Sequence, residues 1–279
     1  MNESKYRPPS STSVFLDTSI FISSHRYGFK KTIKGTLKGF QWCGTASYAM
    51  LEYGNNILPL AFYYYTNLKE TGDLDKTADF IFHRLFSKKR KNFRDPHQKR
   101  RQWFFSILRD SFGKDDALRR AKASLRLLLR VGTAYIRKYC DHVHDGIKCA
   151  YASQEVGPEK RWKRPSKANC EIDKFFVGKQ KLFGSFRDAI LRAPSSQFTM
   201  QLSDIADLVD KASHDPMILR DCKMCPRMAD ALIAAESEGY GSFFTQNFKE
   251  SDVLCPALRQ TLLYLSQDPD QPVATRYTP

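Results

Sequence analysis

Ser13-Val14-Phe15-Leu16-Asp17-Thr18-Ser19 is a short β-branched and aromatic run that stops on an acid. It reads as a buried strand delivering a carboxylate to the edge of a sheet, followed by Thr and Ser suited to capping a helix. In open α/β sheets that edge is where ligands bind. Near the other end of the chain, Ala229 to Ala235 reads as a helix with Asp230 in its first turn, Gly239 and Gly241 interrupt it, and Ser242-Phe243-Phe244-Thr245 reads as a second buried strand. Tyr48 to Gly54 places a single acid, Glu52, inside a helix-like apolar pattern. Three isolated carboxylates therefore sit in otherwise apolar elements.

Working outward, Thr18 to His25 reads as a short helix, and the lysine-rich stretch Lys30 to Lys38 as a basic connector, either holding phosphate or simply solvated. Phe40 to Cys43 reads as a second strand. A helix starting at Thr45 or Ser47 runs through Glu52 towards Asn67, with Gly54 and Pro59 marking a bend or break.

The chain of 279 residues, 42% hydrophobic and 13% aromatic, is ample for a buried core. Its formal net charge of +15 implies a polyanionic partner, nucleic acid or an anionic membrane surface. That charge is unevenly spread: Lys76 to Arg192 holds 30 Lys plus Arg against 12 Asp plus Glu, so the rest of the chain is slightly acidic. The same segment shows helical spacing over Thr77–Phe86, Pro96–Phe112 and Asp115–Tyr139. Lys88, Lys89, Arg90 and Lys91, then Lys99, Arg100 and Arg101, then Arg119, Arg120 and Arg126, interleaved with Phe93, Trp103, Phe104 and Phe105, suit phosphate contacts plus base stacking. The bland alternative is a helical bundle with a soluble basic face. His142 to Asn169 reads as a long loop, and Glu171–Ala193 and Gln201–Ser213 as helices returning to the core.

No apolar run is long enough to span a membrane, and Met-Asn-Glu-Ser at the start lacks a signal peptide's basic and apolar regions, so a cytoplasmic location without membrane association is expected. Seven cysteines argue for reduced thiols or metal ligands. Cys222-Lys223-Met224-Cys225 supplies two of the four ligands that tetrahedral zinc wants, with Cys140, His142, His144, Cys149 and Cys170 as further donors; ordinary buried cysteines are the simpler reading.

Phe15-Leu16-Asp17-Thr18-Ser19, Ser47 to Gly54, Ala229 to Ala235 and Thr245-Gln246-Asn247, in that order, resemble the signatures of PIN-domain ribonucleases, the fold of VapC-type toxins. The resemblance implies an α/β fold, a PIN-like parallel sheet flanked by helices, with the nuclease core over residues 1–65 and 215–279 and a large, mostly helical basic insertion over 66–214. It implies a Mg²⁺- or Mn²⁺-dependent endoribonuclease, as a toxin or defence effector, with Asp17, Glu52 and Asp230 as catalytic and metal-binding acids and Thr18, Ser19, Thr245 and Asn247 orienting carboxylates or waters. RNA is favoured over DNA as partner, and an inhibitory protein partner is compatible with the class. A structure-specific DNA nuclease and a catalytically weak nucleic-acid-binding adaptor are the alternatives. Asn247 stands where the family often adds a fourth acid, with Glu250 and Asp252 the nearest carboxylates beyond it.

Overall fold

The computed structural model describes residues 12–25, 27–77, 116–147, 170–221, 223–268 and 272–278. The expected helices over Thr77–Phe86 and Pro96–Phe112, the clusters Lys88–Lys91 and Lys99–Arg101, Cys222 and most of the 142–169 loop lie outside these residues, apart from Thr77 and 142–147.

The protein is α/β. Among the described residues six strands, β1 (Ser13–Leu16), β2 (Trp42–Ala46), β3 (His142–His144), β4 (Ser242–Thr245), β5 (Thr261–Leu265) and β6 (Ala274–Tyr277), form one sheet in the order β3-β2-β1-β4-β5-β6. All neighbours are parallel except β5 and β6. β1 and β4 are buried at every position, as near-continuous apolar runs in a covered parallel sheet should be. Phe15 pairs in register with Gly44 on one side and Phe243 on the other. Successive strands step away from β1 through β2 to β3, and the chain then returns to place β4 on the opposite side of β1. The order of connection therefore reverses between β1 and β4, and crevices at such reversals, outside the carboxyl ends of the strands, are the usual ligand sites of open parallel sheets.

The helices are α1 (Thr18–Ser23), α2 (Tyr27–Leu37), α3 (Ser47–Thr71), α4 (Ala117–Val131), α5 (Ile172–Gly178), α6 (Gln180–Arg192), α7 (Met200–His214), α8 (Ala229–Glu236) and α9 (Phe248–Leu254), with 3₁₀ turns at Gly132–Lys138, Pro216–Arg220, Cys225–Met228 and Cys255–Leu258. Several elements depart from the sequence expectations. The lysine-rich connector is helix α2, because Phe29 and Ile33 recur at helical spacing and are buried while Lys30 and Lys31 stay exposed. The second strand starts two residues later than expected. α3 runs unbroken through Gly54 and Pro59, with Ile57, Leu58, Ala61 and Tyr64 buried; tertiary packing outweighs the cost of a proline in the helix. The supposed loop after Asp141 contributes the edge strand β3, paired with β2 from Gly44↔His142 to Ala46↔His144.

The described residues within Met1–Glu52, Ile136–Ser153 and Pro165–Pro279 form one compact unit, which contains the whole sheet; those within Tyr53–Tyr135 belong to a second. Residues 170–214, assigned on sequence grounds to an insertion over 66–214, thus fold with the sheet. There α5 and α6 stack Phe176 on Phe183 at 4.8 Å, with Phe186 edge-on to Phe183 at 5.9 Å. In the second unit, α4 buries Ala121, Leu125, Leu128 and Leu129 and exposes Arg119, Arg120, Arg126 and Arg130. Arg119 pairs with Asp116 at 2.6 Å, so that part of this basic face is internally neutralised. Tyr53 and Tyr135 stack at 6.3 Å.

One glycine permits the sheet's cross-strand packing. Tyr240, just before β4, reaches under β1 against Phe15 (ring centroids 5.2 Å apart) and bonds through its hydroxyl to His144 Nε2 at 2.7 Å. A Cβ on Gly44 would collide with Tyr240 Oη and lie 2.5 Å from its Cζ. Gly44→Ala is therefore expected to lower stability by about 1–3 kcal/mol or more, as overpacked cores do. Urea unfolding checks this, and a midpoint equal to wild type would mean that the ring moves aside without cost.

Two histidines, His144 and His25, set an acid limit on stability. Burial first, then the charges of His142 and Lys179, push the His144 imidazole down to about 4; burial and Lys30 push His25 down to about 3. A folded-state value below the unfolded one means that the native state resists protonation, so stability present above about pH 6.5 is lost as the pH falls towards these values. The expected slope approaches about 1.4 kcal/mol per pH unit for each imidazole. Raised carboxyls such as those of Glu236 and Asp230 act in the opposite sense, so the histidine contribution is read as a difference: between pH 7 and 4 the urea midpoint of wild type should drop relative to that of His144→Gln.

Candidate active site

The β1–β4 edge gathers acids from several elements. Asp17 follows β1 directly, and its backbone N–H bonds to Phe244 O at 3.0 Å, extending the β1–β4 ladder to the carboxylate. It is 6% exposed and is the N-cap of α1, with an extended backbone. Three donors converge on its Oδ2: Ser19 N at 3.3 Å, Ser19 Oγ at 2.5 Å and Thr245 Oγ1 at 2.8 Å. Each hydroxyl itself accepts from a backbone amide, Ser19 Oγ from Gln246 N at 2.9 Å and Thr245 Oγ1 from Asn247 N at 2.8 Å. With those amides occupying hydroxyl lone pairs, the hydroxyl protons are aimed at Asp17. The ends of β1 and β4 are thereby tied together through one carboxylate oxygen, with Oδ1 outside this network.

Asp230 stands in the first turn of α8. Asp17 and Asp230 line one pocket together with Ala234, Phe243, Ser251, Leu254 and Cys255. Burial holds the Asp230 carboxyl well above the usual range; the charges of Asp17, Glu52 and Glu250 push the same way, and a hydrogen bond from the Asn247 side chain opposes them. Gln201 Nε2 also donates to Asp230 Oδ2. Asp230 is thus more than a dipole-complementing acid at a helix start, which would be solvated and little perturbed.

Of the residues singled out from the sequence, Asp17, Ser19, Thr245, Asn247, Glu52 and Asp230 converge here, Glu52 through its charge on Asp230. Thr18 does not join the network: it is 3% exposed, and its Oγ1 has no hydrogen-bond partner among the described residues. Glu250 proves to be a fourth acid facing Asp230. It is 7% exposed, in the first turn of α9, and its Oε1 accepts from Thr199 Oγ1 at 3.0 Å. Asp252 accepts from Gln197 Nε2 at 2.8 Å, and burial raises its carboxyl too. Neither Gln201 nor Thr199 carries a sequence signal pointing to the site, since their partners lie 29 and 51 residues away.

The acids offer hard oxygen donors and an excess of negative charge that a divalent cation would neutralise, which fits Mg²⁺ or Mn²⁺ in chemistry. Among the described residues no three His, Cys, Asp or Glu side chains are grouped so as to hold one ion. Cys225 is buried, with Tyr48 Oη 3.2 Å from its Sγ, and Cys43 and Cys255 are buried free thiols; burial and the nearby Asp252 and Asp17 push the Cys255 thiol up, as suits an inert cysteine. None of the described helices is long and apolar enough to cross a membrane.

No family model matches the sequence, no curated protein is similar to it, and no solved structure matches the fold.

Proposed function

We propose that this protein is a divalent-metal-dependent endoribonuclease on a PIN-like core. The observation that carries the proposal is the convergence of Asp17 and Asp230 in one pocket at the β1–β4 reversal, with Glu52 and Glu250 adding negative charge around Asp230. Crowded, desolvated carboxylates destabilise a fold unless a cation or protons neutralise them, so such a cluster makes sense as a ligand set. Asp17 and Asp230 would hold Mg²⁺ or Mn²⁺, with Glu52 and Glu250 adding negative charge beside Asp230.

When bound, the ion supplies charge neutralisation at the scissile phosphate and lowers the pKa of a water. The chain's own residues do the positioning. Ser19 and Thr245 fix the Asp17 carboxylate, Asn247 and Gln201 fix that of Asp230, and Phe243 and Leu254 form apolar wall around the acids. The exposed Arg120, Arg126 and Arg130 of α4, together with the basic clusters outside the described residues, would hold the substrate backbone.

The test is incubation of the full chain with labelled single-stranded RNA and with DNA, in Mg²⁺ or Mn²⁺, with and without EDTA. Internal RNA cleavage that EDTA abolishes supports the proposal; cleavage of branched DNA alone would make the protein a structure-specific DNA nuclease. Tight RNA binding without cleavage would support the adaptor reading.

A further inference from the structure

Three alternate residues just before and at the start of α7 meet three different acids. Gln197 Nε2 donates to Asp252 Oδ2 at 2.8 Å, Thr199 Oγ1 to Glu250 Oε1 at 3.0 Å, and Gln201 Nε2 to Asp230 Oδ2. The residues between them turn outwards, Phe198 being 45% and Met200 84% exposed. Thr199 has extended backbone angles, φ −110° and ψ 158°, and its hydroxyl also caps α7 by accepting from Leu202 N at 3.1 Å. Gln197 lies in a turn, Thr199 is extended and Gln201 is already helical, so it is the turn into α7 that brings the three inward groups to the acids. Here the inward side is polar throughout and each inward group reaches a carboxylate.

We propose that the strip Gln197–Gln201 sets the spacing of the acid cluster, and that Gln201 is the positioning residue that holds Asp230 for divalent-cation binding. The inference rests on the functional reading above. Two observations single out Gln201. Its amide bond falls on a single oxygen, Oδ2, and a carboxylate can accept there while its other oxygen ligates an ion. It comes from a rigid element, the first turn of a fifteen-residue helix whose Leu202, Ile205, Leu208 and Val209 are buried, so its reach is fixed by core packing. Partners that orient a ligating carboxylate typically account for 10–100-fold in metal affinity when removed.

The experiment compares Mg²⁺ binding to wild type and to Gln201→Met, which keeps length and helix propensity but removes the donor, by titration calorimetry of the full chain. Thermal melting in EDTA is recorded alongside, and Gln201→Ala serves as a second variant. The expected result is Mg²⁺ affinity weakened 10–100-fold in both variants, with melting in EDTA close to wild type. Unchanged affinity, with or without a lower melting temperature, overturns the proposal, because Gln201 then serves only the fold. Tighter binding also overturns it, since the amide then competes with the ion. Unfolding of both variants assigns Gln201 to the core and overturns it as well. A wild type that binds no Mg²⁺ would sink the functional reading and this inference together; a wild type that binds normally while the variants match it sinks only the inference.

Discussion

Asp17→Asn is expected to abolish metal-dependent RNA cleavage, with a loss of about 10³-fold or more, while leaving the melting temperature of the ion-free protein near wild type. The loss follows from charge: the substitution removes a formal negative charge and a hard ligand oxygen from the cluster, and each 1.36 kcal/mol of transition-state stabilisation is tenfold in rate. The preserved fold follows from the hydrogen bonds. All three donors to Asp17 meet one oxygen, Oδ2, and an asparagine carbonyl can accept there in its place, keeping both the α1 cap and the tie to Thr245. Single-turnover cleavage at saturating Mg²⁺ and thermal melting in EDTA check the two halves. Wild-type rates in the variant would remove Asp17 from the chemistry.

Asp230→Asn is expected to do the same to cleavage and the opposite to stability. In the ion-free protein the ionised Asp230 carboxyl is disfavoured by burial and by three nearby acids. A carboxyl whose folded-state pKa lies above its unfolded value contributes stability at low pH that is lost as the pH rises through the folded-state value, so near neutrality this residue weighs against the fold. The amide keeps the shape without the charge. Melting in EDTA at pH 7.5 should therefore rise in the variant, by roughly 2–4 °C for each kcal/mol regained in a protein of this size. The gain should shrink at pH 5 and also at saturating Mg²⁺, where the wild type is neutralised by the ion. A lower melting temperature at every pH would show that Asp230 serves the fold as an ordinary hydrogen-bonding group.

The legible parts of this molecule are those in which local sequence and tertiary position agree. β1 and β4 are short apolar runs, buried at every position, and the acid closing β1 stands where a strand meets a helix. A reader of Phe15-Leu16-Asp17 and Phe243-Phe244-Thr245 could place both at one sheet edge without coordinates. The α2 helix was obscured because its lysines dominate the composition, although Phe29 and Ile33 hold the spacing that buries it. β3 has only three residues, two of them histidines, and exists because β2 offers an unpaired edge. Glu250 is legible only as one of two carboxylates just beyond Asn247, in a stretch as polar as a surface turn; its burial comes from Thr199 and the packing of α9. Long-range hydrogen bonds such as those of the 197–201 strip leave no local pattern at all, and the extent of the sheet-bearing unit depends on packing between helices distant in sequence.

On the proposed reading, carboxylates at the β1–β4 edge form a cation site. The most direct measurement is titration of Mn²⁺ into the metal-free full chain, following the electron paramagnetic resonance signal of the free ion. Wild type is expected to remove that signal saturably, and the double variant Asp17→Asn, Asp230→Asn to leave it in solution. Equal Mn²⁺ uptake by the two proteins, or none by wild type, would contradict the claim.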